Sequence, residues 1–235
     1  MIVAIHQPNF FPWLGFFDKI VRSDVFIFLD DVQIPKTGGV WCNRVKILEA
    51  RTERWLTAPI GRSYSGVRPI MDVEFVQTIP WRRKMLRSLQ SAYRKANFFR
   101  EAMELIEPML MLSHENVANY NIATIEAICT ALALDAPVFM RSSNLEASGQ
   151  STERLIQLTR AVHGDTYLCG GGASEYQDDD LFTRSGIGLL YQKFVSSPYT
   201  QIGVSEFVHG LSIIDALMNC GVLGTAEFLR RRRCS

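Results

Sequence analysis

Two apolar runs near the start of the chain constrain its fold more than any other feature. Residues 2–5 (IVAI) and 25–29 (VFIFL) are apolar without alternation, which is typical of parallel strands covered on both faces. Between them, residues 13–21 carry apolar side chains at helical spacing, after two prolines that end the first strand. This order favours a parallel pair with a right-handed crossover, so residues 2–29 predict a βαβ unit.

Strands and helices continue to alternate along the chain. Further strands are predicted at 54–60, 73–76, 138–140, 166–168 and 187–194, and helices at 81–95, 98–112, 115–134, 152–163 and 174–184, with two more at the end. Ser113 and Ser151 are expected to cap helices, and Gly164 to end one at its C′ position. The expected fold is α/β, with a Rossmann-like, mostly parallel sheet, helices on both faces and a mostly helical insertion at 81–134. Residues 1–235 are expected to form one domain.

Polar side chains follow both N-terminal strands. In open α/β sheets, ligands bind outside the carboxyl ends of the strands, although a polar turn without a ligand is the alternative. His6 is the candidate general base, because imidazole titrates near neutral pH. Asp30 would orient His6 or hold a substrate amine. Candidate substrate-binding residues in the same region are Gln7, Asn9 and Trp13.

Three consecutive glycines lie between a predicted strand and a predicted helix. Gly170, Gly171 and Gly172 allow a backbone to approach a ligand closely, next to the free N–H groups of a helix N-terminus. The run matches neither dinucleotide-binding nor P-loop spacing, and a tight connection without a ligand is the alternative. Cys169 precedes the glycines and is expected to be a packing residue rather than a nucleophile.

A polar stripe marks the penultimate helix. Ser212, Asp215 and Asn219 share one face of a helix that is otherwise apolar, so the stripe is expected to be buried. Buried polar groups need partners, which are either a structural network or a ligand. Asp215 is therefore a candidate catalytic residue, and Ser212 and Asn219 are candidates for substrate binding.

A third polar group follows the second strand. Asn43 with Arg44 and Lys46 could bind a substrate, since the two cations can neutralise a carboxylate or phosphate. Solvated loop charges are the alternative.

Composition excludes several classes of protein. The net charge of +1 argues against a nucleic-acid-binding surface over the whole molecule. The five cysteines show no CxxC spacing and suit a reducing compartment, and no leader peptide is visible, so a cytoplasmic location is expected. No run reaches the roughly 20 apolar residues that a membrane span requires. No spacing of ligands points to a metal site.

The chain resembles the WbqC-like family. Matching segments are HQPNFFPWLGFFDKI, FLDDVQIPK, NRVKI with RWLTAPI, TYLCGGGASEYQDDDLF and FVHGLSIIDALMNCG, in the expected order over nearly the full length. The resemblance implies a role in O-antigen and related polysaccharide or natural-product pathways. It also implies transfer of glycine or another amino acid.

Three functions follow from the residues and the resemblance. The first is a transferase that joins an amino acid or other acyl unit to a sugar-derived or natural-product substrate, with an activated donor such as a carrier-protein conjugate. The second is an ATP-dependent amide ligase, since the N-terminal unit is also similar to nucleotidyltransferases and pantothenate-synthetase-like ligases. Those enzymes bind nucleotide phosphates with an HxGH motif, which is replaced here by PWLGF at residues 12–16. The residues therefore require no cofactor, and ATP is the one candidate cofactor. The third is a non-enzymatic sugar-nucleotide-binding protein.

Overall fold

A five-stranded parallel sheet forms the centre of the computed structural model, which describes residues 1–170 and 177–233. The strands are β1 (Ile2–His6), β2 (Val25–Phe28), β3 (Arg44–Glu49), β4 (Thr52–Thr57), β5 (Val138–Arg141), β6 (Thr166–Cys169) and β7 (Gly188–Tyr191). The sheet has the order β5-β2-β1-β6-β7, and each neighbouring pair in it is parallel. The antiparallel hairpin β3–β4 is separate from this sheet. The α/β fold class is therefore confirmed.

Helices surround the sheet. They are α1 (Leu14–Val21), α2 (Trp81–Tyr93), α3 (Phe99–Leu110), α4 (Val117–Ala131), α5 (Ser151–Ala161), α6 (Asp179–Arg184) and α7 (Ile213–Arg233). Helices α2 to α4 form the expected helical insertion between the hairpin and β5. Gly221 interrupts α7 with a φ of 71°, so two helices close the chain as predicted. Within the described residues, no helix is both long and apolar enough to cross a membrane.

The central strand β1 is buried on both faces, which explains its unbroken apolar sequence. Ala4 belongs to a large core with α1, the helical insertion and α7. Its neighbours Val3 and Ile5 belong to a second core with α5 and α6 on the other face. Successive side chains of a strand point to opposite faces, so two cores require an apolar residue at every position.

The direction of the chain reverses at β1. From β1 it proceeds outward through β2 to β5, and it then returns to the other side of β1 for β6 and β7. The carboxyl ends of β1 and β6 therefore flank the point where the strand order reverses. In open parallel sheets this is the position of the ligand crevice.

The hairpin differs from the prediction. Strand β3 was not predicted, β4 is Thr52–Thr57 rather than 54–60, and 73–76 forms only the isolated bridges of Phe75 with Ile60 and Glu74 with Asn116. The hairpin turn places Ala50 and Arg51 in the left-handed region, with φ of 48° and 69°. Asn and Gly usually occupy such turns, so the sequence contains no hairpin signal here.

Three helix ends also differ from the prediction. Asn116, not Ser113, caps α4, and its side chain accepts a hydrogen bond from the Asn119 backbone N–H. Ser151 is the first residue of α5 and makes no capping bond. His163 rather than Gly164 occupies the C′ position of α5 with a φ of 59°. Position 164 requires glycine for a steric reason, since a Cβ there would lie 2.3 Å from Val3 Cγ2.

The last part of the sheet is described only in part. Of the predicted helix at 174–184, the structure describes α6, and residues 171–176 lie outside the described residues. The predicted strand at 187–194 is β7, and Gln192 follows it directly.

Candidate functional site

A cavity of about 270 Å³ lies at the carboxyl ends of β1 and β6, where the strand order reverses. Larger grooves lie along residues 198–207 and between the hairpin turn and α2, away from these strand ends. We regard the smaller cavity as the candidate site because ligands of open parallel sheets collect at this point. It is lined by His6, Trp13, Gly15, Phe16, Lys19, Gly170, Gln192 and Phe194.

His6 ends β1 and is held as a neutral imidazole. Its Nδ1 lies 3.0 Å from the carbonyl oxygen of Gln7. A carbonyl oxygen can only accept, so Nδ1 carries the proton and Nε2 keeps a free lone pair. Burial and the positive charge of Lys19 lower the pKa of His6 to about 4. The ring is therefore a proton acceptor at neutral pH.

Lys19 is the most informative residue that sequence reasoning missed. It lies on α1, is 3% exposed, and donates a hydrogen bond from Nζ to the Ile5 carbonyl oxygen at 3.2 Å. Burial lowers the pKa of Lys19 to about 8, which the nearby Cys169 opposes. The available signal was an Asp-Lys pair inside a short helix that is apolar on all sides.

A buried amide connects the two sides of the cavity. Gln192 Nε2 donates to the Gly15 carbonyl oxygen at 2.6 Å and to Asp18 Oδ2 at 2.7 Å. Asp18 is fully buried, and Arg22 Nη1 lies 3.5 Å from the same carboxylate oxygen. These bonds fix the beginning of α1 against the segment after β7, so the cavity wall is preorganised.

Aromatic rings form the outer wall. Trp13 packs edge-on against Phe194, with ring centroids 5.2 Å apart. The Trp13 indole also covers Gly15, where a Cβ would lie 2.3 Å from the ring. Gly15 therefore allows Trp13 to reach its place in the wall.

Some of the predicted site residues, catalytic and substrate-binding, line this cavity. His6, Trp13 and Gly170 line it, whereas Gly171 and Gly172 lie outside the described residues. Gln7 and Asn9 turn toward another part of the chain, with side-chain oxygens 3.8 and 4.0 Å from Cys42 Sγ.

Asp30 does not orient His6 as expected. Its Oδ1 accepts from Ser142 Oγ at 3.2 Å and from the Ser143 N–H at 3.1 Å, and its Oδ2 accepts from Ser143 Oγ at 3.0 Å. The carboxylate thus caps the short 3₁₀ turn after β5, on the side of β2 away from β1. Both strands end at one edge of the sheet, but the side chain of Asp30 is used for structure.

The polar stripe of α7 is buried, but its partners are protein groups. Asp215 Oδ1 accepts from the Tyr93 hydroxyl at 2.9 Å, and Oδ2 accepts from the Tyr199 hydroxyl at 2.7 Å and from Gln201 Nε2 at 2.9 Å. Burial raises the pKa of Asp215, and these donors oppose the shift. Asp215 is absent from the cavity lining, so the structural alternative applies.

The other two residues of the stripe have the same kind of partner. Ser212 Oγ donates to the Phe11 carbonyl oxygen at 2.7 Å, which ties α7 to the loop that ends in Trp13. Asn219 accepts from the Ile202 N–H at 3.0 Å and donates to the Asp215 carbonyl oxygen at 2.8 Å. Ser212 and Asn219 therefore support the site rather than line it.

The third polar group belongs to the hairpin. Asn43 is buried and bonds the Ala58 carbonyl oxygen at 2.8 Å. The Arg44 guanidinium lies 4.0 Å above the Trp55 ring, and Lys46 Nζ lies 2.6 Å from Glu53. None of the three is among the residues that line the described cavity. The two cations thus contact neighbours within the hairpin, a ring for Arg44 and a carboxylate for Lys46.

Cys169 behaves as a packing residue. It is fully buried and donates from Sγ to the Leu190 carbonyl oxygen at 3.5 Å. Burial raises the pKa of the Cys169 thiol, which keeps it in its weakly nucleophilic protonated form. Among the residues that the structure describes, no group of three or more His, Cys, Asp or Glu is arranged to hold a metal ion.

Comparison with known proteins places the chain in a family. The model of the WbqC-like protein family matches residues 7–226. An uncharacterized protein of Mycobacterium tuberculosis, Rv1507c, is 30% identical over 224 residues, which cover 93% of this chain and 94% of the relative. No solved structure matches the chain. On the extent of the family match, the chain belongs to the WbqC-like protein family.

Proposed function

We propose that the protein is an enzyme, a small-molecule transferase that forms an amide bond. It joins an amino acid or another acyl unit to an amine of a sugar-derived or natural-product acceptor. The observation that carries this proposal is a neutral His6 in the cavity at the reversal point of the sheet, with Nε2 free to accept a proton. Amide formation needs such a base, because the attacking amine must lose a proton.

The proposed reaction uses a donor activated as a thioester or another acyl conjugate. The acceptor enters as a free amine, and its nitrogen attacks the acyl carbon. As the new C–N bond forms, the nitrogen becomes strongly acidic and its proton passes to His6 Nε2. The bond from the acyl carbon to the leaving group then breaks, and His6 returns the proton to that group.

The rest of the cavity supports this role. Burial and, to a smaller extent, the positive charge of Lys19 keep His6 neutral. Phe16 packs edge-on against the imidazole at 4.9 Å and limits its rotation. The volume of about 270 Å³ lies just below the usual range for drug-sized ligands of about 300–1,000 Å³, which favours a compact reacting group over a whole nucleotide.

The test is a turnover assay with defined probes. The purified protein is incubated with N-acetylcysteamine thioesters of glycine and other amino acids, and with glucosamine as the amine acceptor. Thiol release and the mass of the amide product are followed with and without ATP. We expect product without ATP, and a fall in kcat of at least about 100-fold in His6→Asn, since general bases contribute about 10²–10⁴-fold.

The matched control is His163→Asn. His163 is exposed at the end of α5 with a φ of 59°, a conformation that Asn also adopts readily, so this variant should turn over normally. Product formation that requires ATP and releases AMP or ADP would instead indicate an amide ligase. Binding without turnover, unaffected by His6→Asn, would indicate a binding protein. In parallel, mass spectrometry of a strain that lacks the gene identifies the product that loses an acyl unit.

A further inference from the structure

Lys19 is a buried cation whose bonding is incomplete. Its side chain is 3% exposed and lines the cavity beside His6. An ammonium group has three N–H donors, and the protein acceptor of Lys19 Nζ is the Ile5 carbonyl oxygen at 3.2 Å. Within residues 1–170 and 177–233, no carboxylate oxygen lies within 4.0 Å of this Nζ. In this part of the chain, two of the three donors have no acceptor and are available to a ligand.

The acidic side chains of α1 and of α7, the helix that packs against it, do not pair with Lys19. Asp18, the preceding residue on α1, bonds Gln192 and lies beside Arg22. Helix α7 packs against α1, but its Asp215 is held by two tyrosine hydroxyls and Gln201, and its Glu227 is exposed. No counter-ion reaches Lys19 from these elements.

The titratable groups that face Lys19 from the sheet are uncharged at neutral pH. His6 on β1 is neutral, because its pKa is lowered to about 4. Cys169 on β6 is a protonated thiol, because burial raises its pKa. The pKa of Lys19 is lowered to about 8, so below this pH its positive charge has no counter-ion among the residues that the structure describes. A buried charge without a partner is costly, and a ligand of opposite charge removes this cost.

We infer that Lys19 binds an oxyanion of the substrate, a carboxylate or a phosphate, inside the cavity and next to His6. This inference rests on the proposed function in taking the cavity as the substrate site. It adds that one reactant carries an anionic group close to the reacting amine. The oxyanion would accept the two remaining N–H donors of Lys19, and the aromatic wall of Trp13 and Phe194 would cover the less polar part of the molecule.

Isothermal titration calorimetry with small probes tests the inference. Inorganic phosphate and acetate represent the two sources of the oxyanion, and chloride at matched ionic strength is the control for screening. We expect one site per chain for phosphate or acetate at pH 7, and the stronger of the two identifies the source. In Lys19→Met we expect affinity to fall at least about tenfold, because the variant cannot form the charge-assisted hydrogen bonds.

The matched control is Lys84→Met, which removes an exposed lysine of another helix, α2, and should bind the probes as the wild type does. Probe binding by the wild type at a series of pH values gives a second test that does not depend on a variant. Binding should weaken as the pH rises above about 8, since the deprotonated amine of Lys19 carries no charge.

Three results would overturn the inference: no saturable binding of either probe, equal binding in Lys19→Met, or wild-type binding that is unchanged between pH 7 and 9.5. The outcome is separate from that of the proposed function. Probe binding at Lys19 without any turnover of thioesters would refute the transferase and keep the anion site. Turnover through His6 without anion binding would refute the anion site and keep the transferase.

Discussion

At the scale of residues, His6 and Lys19 line one cavity and differ in charge at neutral pH, where His6 is neutral and Lys19 is positively charged. The charge of Lys19 is one of two reasons that His6 is neutral, and burial is the other. The neutral base and the cation can coexist between pH of about 4 and about 8. We expect kcat/KM to rise with pH through the lower value and to fall through the upper one. A flat profile through pH 8 would show that the ammonium is not needed.

The interaction between the two residues is measurable without a substrate. Lys19→Met removes the positive charge, so the pKa of His6 should move upward from about 4 toward its ordinary value, while burial still holds it below 6.5. NMR titration of the His6 ring in both proteins gives the shift, and His6→Asn assigns the signal. An unchanged pKa would mean that burial alone keeps His6 neutral.

Asp215 allows a second prediction at this scale. Asp215→Asn replaces one acceptor oxygen by an NH₂ group, so one tyrosine or glutamine donor loses its partner in a buried place. We expect the free energy of unfolding to fall by about 1–3 kcal/mol, with specific activity at low temperature retained. Thermal melts and turnover should be recorded on the same sample. Lost activity with an unchanged melting temperature would return Asp215 to the catalytic residues.

Sequence reasoning found His6 and missed Lys19 for a physical reason. A polar residue after a strand can be predicted to reach a ligand, because parallel strands end at one edge. Asp30 meets the same criterion, yet a neighbouring turn takes its carboxylate. Lys19 and Gln192 line the same cavity only because α1 and the segment after β7 pack together, although 173 positions separate the two residues in sequence. The Asp-Lys pair inside the apolar helix α1 indicates a buried charge, but long-range packing decides which cavity that charge enters, and such packing leaves no local pattern.

At the scale of elements, the predictions succeeded where a local rule applies. The strands β1 and β2 are apolar at every position because both faces are covered, and this pattern is visible in the sequence. The hairpin β3–β4 was missed because Ala50 and Arg51 form its turn without the usual glycine or asparagine. The strain of those two residues is offset by the pairing of six residues on each strand.

Substitution of two glycines, one at the beginning of α1 and one after α5, should distinguish an effect on the cavity from an effect on the stability of the fold. A Cβ at Gly15 would lie 2.3 Å from the Trp13 indole, and a Cβ at Gly164 would lie 2.3 Å from Val3 Cγ2. Gly15→Ala should displace Trp13 from the cavity wall and raise KM. Gly164→Ala should push α5 from β1, lowering stability by about 1–3 kcal/mol with KM unchanged. Steady-state kinetics and thermal melts on both variants check this contrast, which fails if both variants change the same quantity.

At the scale of the whole molecule, the half-buried His6 makes the stability of the fold depend on pH. The pKa of His6 is about 4 in the folded chain and about 6.5 in the unfolded one, so the unfolded state binds more protons between these values. Stability is therefore lost as the pH falls from 6.5 to 4, by at most about 3 kcal/mol. The raised pKa of Asp215 has the opposite effect, because it increases stability as the pH falls. This effect is the same in the wild type and in a variant of His6.

The contribution of His6 is isolated by comparison with His6→Asn. Denaturant unfolding at pH 6.5, 5.5 and 4.5 should show the free energy of unfolding of the wild type falling relative to that of the variant as the pH falls, because the variant has no imidazole to protonate. Parallel pH dependence in the two proteins would show that His6 does not remain neutral in the folded state.

The bonds between the two ends of the chain have a consequence for the order of folding. Ser212 reaches the Phe11 carbonyl oxygen across 201 positions, and Gln192 reaches Asp18 across 174. Contacts this distant in sequence close slowly, and during synthesis their N-terminal partners emerge long before the C-terminal ones. Until residues 192–215 have been synthesised, the apolar surface of α1 is exposed, and Asp18 and Lys19 lack the neighbours that surround them in the folded protein. The nascent chain therefore cannot complete its cavity until nearly all of it has been made, which makes α1 the segment that a holding chaperone would need to shield.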